Sequence, residues 1–92
     1  MKVNFYATLR QMAGQKTVEL DLPTGATLRD ALAAVLGVCP GIRPHLVDSQ
    51  GELRGHIHLL LDRQDVHFLP QSMDTPVQPE SEVDVYPPIG GG

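Results

Sequence analysis

The sequence predicts a two-layer α+β domain in which one amphipathic helix packs on a mixed β-sheet. Three observations carry that prediction. Strand-type alternation recurs at the start, middle and end of the chain, one segment alone has helical spacing, and 92 residues with 41% hydrophobic content suffice for a single core. A chain of this length has no room for two cores and buries about 60–65% of the surface its unfolded form exposes.

The elements follow in order. From Lys2 to Leu9, Val3, Phe5, Ala7 and Leu9 alternate with Lys2, Asn4, Tyr6 and Thr8, the pattern of a half-buried strand. Gly14-Gln15 marks a turn, and Thr17 to Leu22 alternates again, with Val18, Leu20 and Leu22 inward. Two such segments joined by a short loop predict a hairpin. Pro23-Thr24-Gly25 ends it. Thr27 then stands as a helix N-cap with Asp30 in capping-box position, and Leu28, Leu32, Val35 and Leu36 follow at helical spacing up to a C-cap at Gly37. Pro40, Gly41 and Pro44 make residues 38–55 irregular, with one helical turn expected near Arg43 to Val47. His56 to Leu61 is a third strand with Ile57, Leu59 and Leu61 inward and His56, His58 and Leu60 outward. Asp62 to Asp65 is a turn, Val66 to Leu69 a short strand, and Pro70 to Glu80 a loop. Glu82 to Tyr86 is the last strand, because the two prolines that follow supply no ladder donor. A hairpin followed by a helix that crosses back onto the sheet fits the ubiquitin-like β-grasp roll. The expected organisation is a β-grasp domain over residues 1–86 and a flexible Pro-Pro-Ile-Gly-Gly-Gly tail over 87–92.

Composition excludes several functions. No apolar run is long enough to cross a bilayer, and the N-terminus has no signal-peptide core, so no membrane role is expected. Cys39, the single cysteine, rules out an internal disulfide and an all-cysteine metal site, and a reducing cytoplasm is the expected setting. The net charge of −4 is uneven: residues 1–43 sum to +2 and residues 44–92 to −6. An acidic C-terminal half does not suit nucleic acid and does suit a partner with a basic docking surface, although a solvated acidic face would look the same. No phosphate-cradling GxxxxGK loop is present, so the chain itself is expected to bind no cofactor. Cys39 lacks a neighbouring acid–base motif and reads as a small buried or loop residue. His56 and His58 share a strand face that His67 could approach, which leaves Zn²⁺ binding open beside the simpler reading of a solvated face.

The chemistry points to the end of the chain. A terminal glycine triplet arises by chance in roughly one chain in a thousand at the glycine content of this sequence. Glycine lacks a Cβ, so Gly90-Gly91-Gly92 can enter a slot too narrow for any other residue. Pro87-Pro88 restricts the exit, Ile89 offers an apolar anchor, and the group presented is the Gly92 carboxylate. A carboxylate becomes an acyl donor only once activated, for example by a partner that adenylates it with ATP and Mg²⁺. A frayed end without function remains the alternative.

These residues resemble the MoaD/ThiS family of ubiquitin-like sulfur carriers, typified by the molybdopterin synthase small subunit. The resemblance spans the chain. It rests on Val3 to Arg10, Pro23 to Leu28, Asp65-Val66, Asp74 to Val77 and, above all, Glu82-Val83-Asp84-Val85-Tyr86-Pro87-Pro88-Ile89-Gly90-Gly91-Gly92, which is similar to the family's aromatic-Pro-Pro-Val-x-Gly-Gly ending. The resemblance implies that an E1-like enzyme adenylates Gly92, that a persulfide relay converts the end to a thiocarboxylate, and that Gly91 and Gly92 form the reactive end. It implies a sulfur-acceptor enzyme such as a molybdopterin synthase large subunit, to which two carriers deliver the dithiolene sulfurs. The chain would be a co-substrate or subunit and no enzyme by itself. The resemblance also places Tyr6, Arg10 and Tyr86 at a partner interface, with Pro87, Pro88, Ile89 and Gly90 leading into the partner. The alternation agrees for Tyr6 and Tyr86, which lie opposite the core faces of the first and last strands. Those strands are neighbours in a β-grasp sheet, so the two rings could form one exposed apolar patch with Leu60 and His58 beside it. The chain departs from the family at Asp62-Arg63, where an Asn-Gly-like turn is usual, at Gly90, and in a long 38–55 segment that looks more like cysteine-biosynthesis carriers and archaeal ubiquitin-like modifiers. A modifier conjugated through Gly92, a carrier for cysteine or thiolated-tRNA synthesis, and an inert-tailed binding module therefore stand as alternatives.

Overall fold

The structure, a computed structural model, describes residues 1–88. Its strands are β1 (Lys2–Phe5), β2 (Thr17–Glu19), β3 (His58–Leu61), β4 (Gln64–Asp65) and β5 (Glu82–Tyr86). Its helices are α1 (Ala7–Ala13), α2 (Leu28–Val38) and α3 (Arg43–Leu46), with 3₁₀ turns at Pro40–Ile42, Val66–Phe68 and Ser72–Asp74. The strands form one sheet in the order β2-β1-β5-β3-β4. β1 and β5 run parallel, and the other pairs are antiparallel. This is the predicted mixed sheet with its first and last strands adjacent, and the fold is the ubiquitin-like β-grasp.

The core lies between the sheet and α2. Thr27 caps α2 through a complete capping box: its hydroxyl accepts from the Asp30 amide, and the Asp30 carboxylate accepts from the Thr27 amide. The buried stripe Leu28, Ala31, Leu32, Val35 and Leu36 then faces the inward side chains Val3, Phe5, Val18, Leu59, Val83 and Val85. Phe5 is fully buried. The void left between α2 and the sheet is about 10 Å³, no more than the space of a single water, so the layers are closely packed.

Several expectations are corrected. The alternation of the first strand stops at Phe5. Ala7 takes a positive φ of 53°, which turns the chain into α1, and Leu9 is buried from a helix instead of a strand. Gly14 is that helix's left-handed C-cap, φ 77°, whose amide donates to Arg10 and Gln11 carbonyls. The β1–β2 hairpin is thus closed through a helix. Val66–Phe68 is a 3₁₀ turn, since the strand pairing with β3 is the shorter Gln64–Asp65. Finally, α2 runs through Gly37 to Val38, with Cys39 as the cap, and β3 begins at His58, which leaves His56 outside the strand.

Between β3 and β4, Asp62 and Arg63 occupy φ 48° and 72° in a two-residue loop joining Leu61 to Gln64. Positive φ at both positions is the signature of a type I′ turn, which favours glycine second. Arg63→Gly is expected to stabilise the domain by about 1 kcal/mol, read as a raised midpoint in urea denaturation. A lowered midpoint would show that the Arg63 side chain does more for the turn than its backbone conformation costs.

Candidate functional site

The candidate site is the helix-free sheet face at the root of the C-terminal segment. β1 and β5 run parallel with Asn4 opposite Asp84 and Phe5 opposite Val85, so Tyr6 emerges beside Tyr86. The Tyr6 amide donates to the Val85 carbonyl at 3.2 Å, which holds the two chain ends together. The rings stack with centroids 4.3 Å apart and planes 9° from parallel. β3 runs antiparallel on the other side of β5, with His58 opposite Tyr86 and Leu60 opposite Asp84. Tyr6, Tyr86, His58 and Leu60 are therefore brought to one face by the register of three strands.

The patch is not purely apolar. Asp84 stands between Leu60 and Tyr6, and its Oδ1 accepts from the Tyr6 hydroxyl at 3.2 Å and from Asn4 Nδ2 at 2.9 Å. Asn4 Nδ2 also donates to Glu82 Oε2 at 2.7 Å, and Asn4 Oδ1 accepts from the Thr17 hydroxyl at 2.7 Å. A hydrogen-bond network thus crosses β2, β1 and β5 and ends on the tyrosine stack. Sequence reasoning missed Asn4, Thr17 and Asp84. The available signal was the alternation that puts all three outward, but only the cross-strand register shows them meeting.

Burial of the Tyr6 phenol, followed by the Asp84 charge and then Tyr86, pushes its pKa up to about 12. The folded state therefore favours the protonated phenol. The resulting stability is fully present below the unfolded pKa of about 10 and is lost as pH rises through about 12. Ultraviolet titration is expected to show Tyr6 ionising near pH 12; a Tyr6→Phe difference titration centred at pH 10 would contradict the network.

Arg10 is exposed on α1 and lines a hollow with Ala7, Gln11, Gly14, Gln15 and Lys16, so it belongs to the helix side and not to the sheet patch. Pro87 and Pro88 are half-buried beside a groove of about 260 Å³, whose other walls include Leu9 and Met12 of α1, Pro44 and His45 of α3, and Arg54. Of this groove's wall, Arg54 carried no sequence signal, whereas Ile57 is buried as the alternation of His56 to Leu61 predicts. Ile89, Gly90, Gly91 and Gly92 lie outside the described residues.

The other candidates take structural places. Cys39 is buried, with Gln15 Nε2 at 3.5 Å from its sulfur. His67 folds onto Asp65, whose Oδ1 accepts from the His67 amide and lies 2.8 Å from its Nδ1. These contacts, with the backbone bond first, hold the Asp65 carboxyl below its usual range. Among the described residues, no three His, Cys, Asp or Glu side chains converge as a metal site. No helix among them is long and apolar enough to cross a membrane.

The model of the ThiS family matches residues 3–92. The chain belongs to the ThiS family. Within it, small archaeal modifier protein 1 of Haloferax volcanii is 29% identical over 92 residues, covering 100% of both chains. A crystal structure of that protein superposes with a TM-score of 0.89 over 100% of this chain and 98% of its own. A putative molybdopterin converting factor subunit 1 from Pyrococcus furiosus is 25% identical, with a TM-score of 0.74 over 96% and 95% of the two chains. A chain in the Amycolatopsis orientalis BexX/CysO complex is 26% identical, with a TM-score of 0.80 over 99% and 98%. ThiS-family membership makes this chain a small ubiquitin-like carrier or modifier and not a catalyst in its own right.

Proposed function

We propose that this ThiS-family chain is a sulfur carrier whose Gly92 carboxyl is adenylated and then thiocarboxylated, and that it serves molybdopterin synthesis. The observation that carries the reading is the stacked Tyr6–Tyr86 pair at the point where β5 passes into Pro87-Pro88 and the terminal glycines. A small sheet face with two aromatic anchors beside a thin terminus is suited to docking on an activating enzyme. In the first step a Gly92 carboxylate oxygen bonds to the α-phosphorus of ATP, and the α–β bridging bond breaks to release pyrophosphate. ATP and Mg²⁺ are held by the E1-like partner. The terminal sulfur of the partner's persulfide then displaces AMP, and a thiol cleaves the resulting S–S bond, leaving the thiocarboxylate on this chain and a disulfide on the partner. Gly91 and Gly90 keep the path to the carboxyl free of side chains. Tyr6, Tyr86, His58 and Leu60 form the docking face, Arg10 a flanking contact, and Pro87, Pro88 and Ile89 the lead-in. A sulfur-acceptor enzyme such as a molybdopterin synthase large subunit takes the product.

A second reading, a modifier joined through Gly92 to lysines, is supported by the likeness to small archaeal modifier protein 1. Coexpression with an E1-like enzyme separates the two. The carrier reading predicts an intact mass raised by about 16 Da, the exchange of one carboxyl oxygen for sulfur. Its absence with every E1-like enzyme of the source genome would overturn the reading. The modifier reading predicts lysines elsewhere carrying a C-terminal remnant of this chain. Because Arg63 is the last lysine or arginine, trypsin would leave Gln64 to Gly92 attached.

A further inference from the structure

The network beneath the tyrosine stack has a geometry that packing alone does not require. Asn4 is a buried polar residue at 7% exposure, with its amide nitrogen donating to two carboxylates and its oxygen accepting from Thr17. Its orientation is set from both sides of β1. The two carboxylates, Glu82 and Asp84, each lie within 2.9 Å of the same neutral nitrogen. Neither takes part in an ion pair among the described residues, so the shared Asn4 amide is the side-chain donor that bridges the two carboxylates. Asp84 then passes the constraint on, because the oxygen that accepts from Asn4 also accepts from the Tyr6 hydroxyl.

Backbone strain lies at the same place. Ala7, directly after Tyr6, has φ 53°, a conformation costing a residue with a Cβ roughly 1 kcal/mol. The turn it makes sends the chain away into α1 while the Tyr6 ring stays over Tyr86. Tyr86 is the last residue of β5 and is bonded to Pro87, whose ring fixes its own φ. Strand ends fray, and a frayed Tyr86 would release the direction in which the prolines leave the sheet.

We propose that Asn4 and Asp84 are positioning residues for the activation of Gly92: by fixing Tyr6, they hold Tyr86 and so set the direction in which the C-terminal segment leaves the domain. This rests on the carrier reading of Gly92. The network acts after docking, when the carboxylate must meet the α-phosphorus in line, so its loss lowers turnover more than affinity. The raised pKa of Tyr6 agrees with a phenol held against the Asp84 carboxylate.

The test compares Asp84→Val with Asp84→Asn, using the E1-like enzyme that activates the wild-type chain and measuring pyrophosphate release against carrier concentration. Valine suits a strand, so the first variant keeps the fold, verified by its thermal midpoint. It is expected to lower kcat about tenfold with KM for the carrier within about twofold. Asp84→Asn keeps the acceptor oxygen and restores most of the rate. An Asp84→Val kcat within twofold of wild type overturns the proposal, as does a rise in KM alone, which would make Asp84 a docking residue. Equal impairment of both variants also overturns it, since charge would then act in place of hydrogen-bond geometry. If the wild-type chain supports no pyrophosphate release, the carrier reading itself fails. The positioning claim is then decided by residual dipolar couplings of the Tyr86 and Ile89 amides. Couplings changed in Asp84→Val and preserved in Asp84→Asn support it; couplings unchanged in both overturn it.

Discussion

A chain shortened to end at Gly90 is expected to support no pyrophosphate release with an E1-like enzyme that adenylates the full chain, while melting at the same temperature. The thermal half of this prediction follows from the core: the buried cluster runs from Val3 to Val85, and removal of Gly91 and Gly92 touches none of it. The chemical half follows from reach. Two residues span at most about 7 Å, and an attacking oxygen must come within about 3–3.5 Å of the phosphorus, so a carboxylate withdrawn by two residues cannot react from the same docked position. Substituting Gly91→Val tests the same idea differently. It preserves length and adds a branched side chain where a narrow channel is expected, and activation should fall by orders of magnitude. Wild-type pyrophosphate release from the truncated chain would remove Gly92 from the site.

Tyr86→Ala is expected to weaken binding to the activating enzyme about 30-fold, or ~2 kcal/mol, the effect of losing an aromatic anchor near the centre of an interface. The stacked pair lost with the ring is worth about 1 kcal/mol to the domain itself, so the variant remains folded. Tyr86→Phe keeps the ring and is expected to bind within about threefold of wild type. Calorimetry or surface plasmon resonance reads the difference. An unchanged dissociation constant for Tyr86→Ala would place the docking face elsewhere, with Arg10 and the groove beside Pro87-Pro88 as the surfaces to examine next.

The two ends of the sheet show what the sequence could and could not reveal. β5 is legible to the residue, because Glu82 to Tyr86 alternates without a break and Pro87 must stop it. The capping box at Thr27 and Asp30 is equally local, and the structure contains it. The first strand is different. Its alternation continues through Tyr6, Ala7, Thr8 and Leu9, and nothing in those residue types announces the positive φ at Ala7 that starts α1. Leu9 is buried under either assignment, so hydrophobicity gives no warning. Val66 to Leu69 is four residues long, too short for periodicity to separate a strand from a 3₁₀ turn. The site divides in the same way. Tyr6 and Tyr86 are readable as outward residues, and the adjacency of their strands follows from the fold. The Asn4 and Asp84 network depends on the parallel register of residues 80 positions apart, which no local pattern encodes.

The central claim is that sulfur is carried at the Gly92 carboxyl. Trypsin cleaves after Arg63 and isolates Gln64 to Gly92 from the peptide that holds Cys39, the chain's other site for covalent sulfur. After coexpression with the activating enzyme, fragment-ion mass spectrometry is predicted to place a gain of about 16 Da on Gly92 itself. A gain of about 32 Da confined to the Cys39 peptide, the mark of a persulfide, with Gly92 unmodified, would contradict the account.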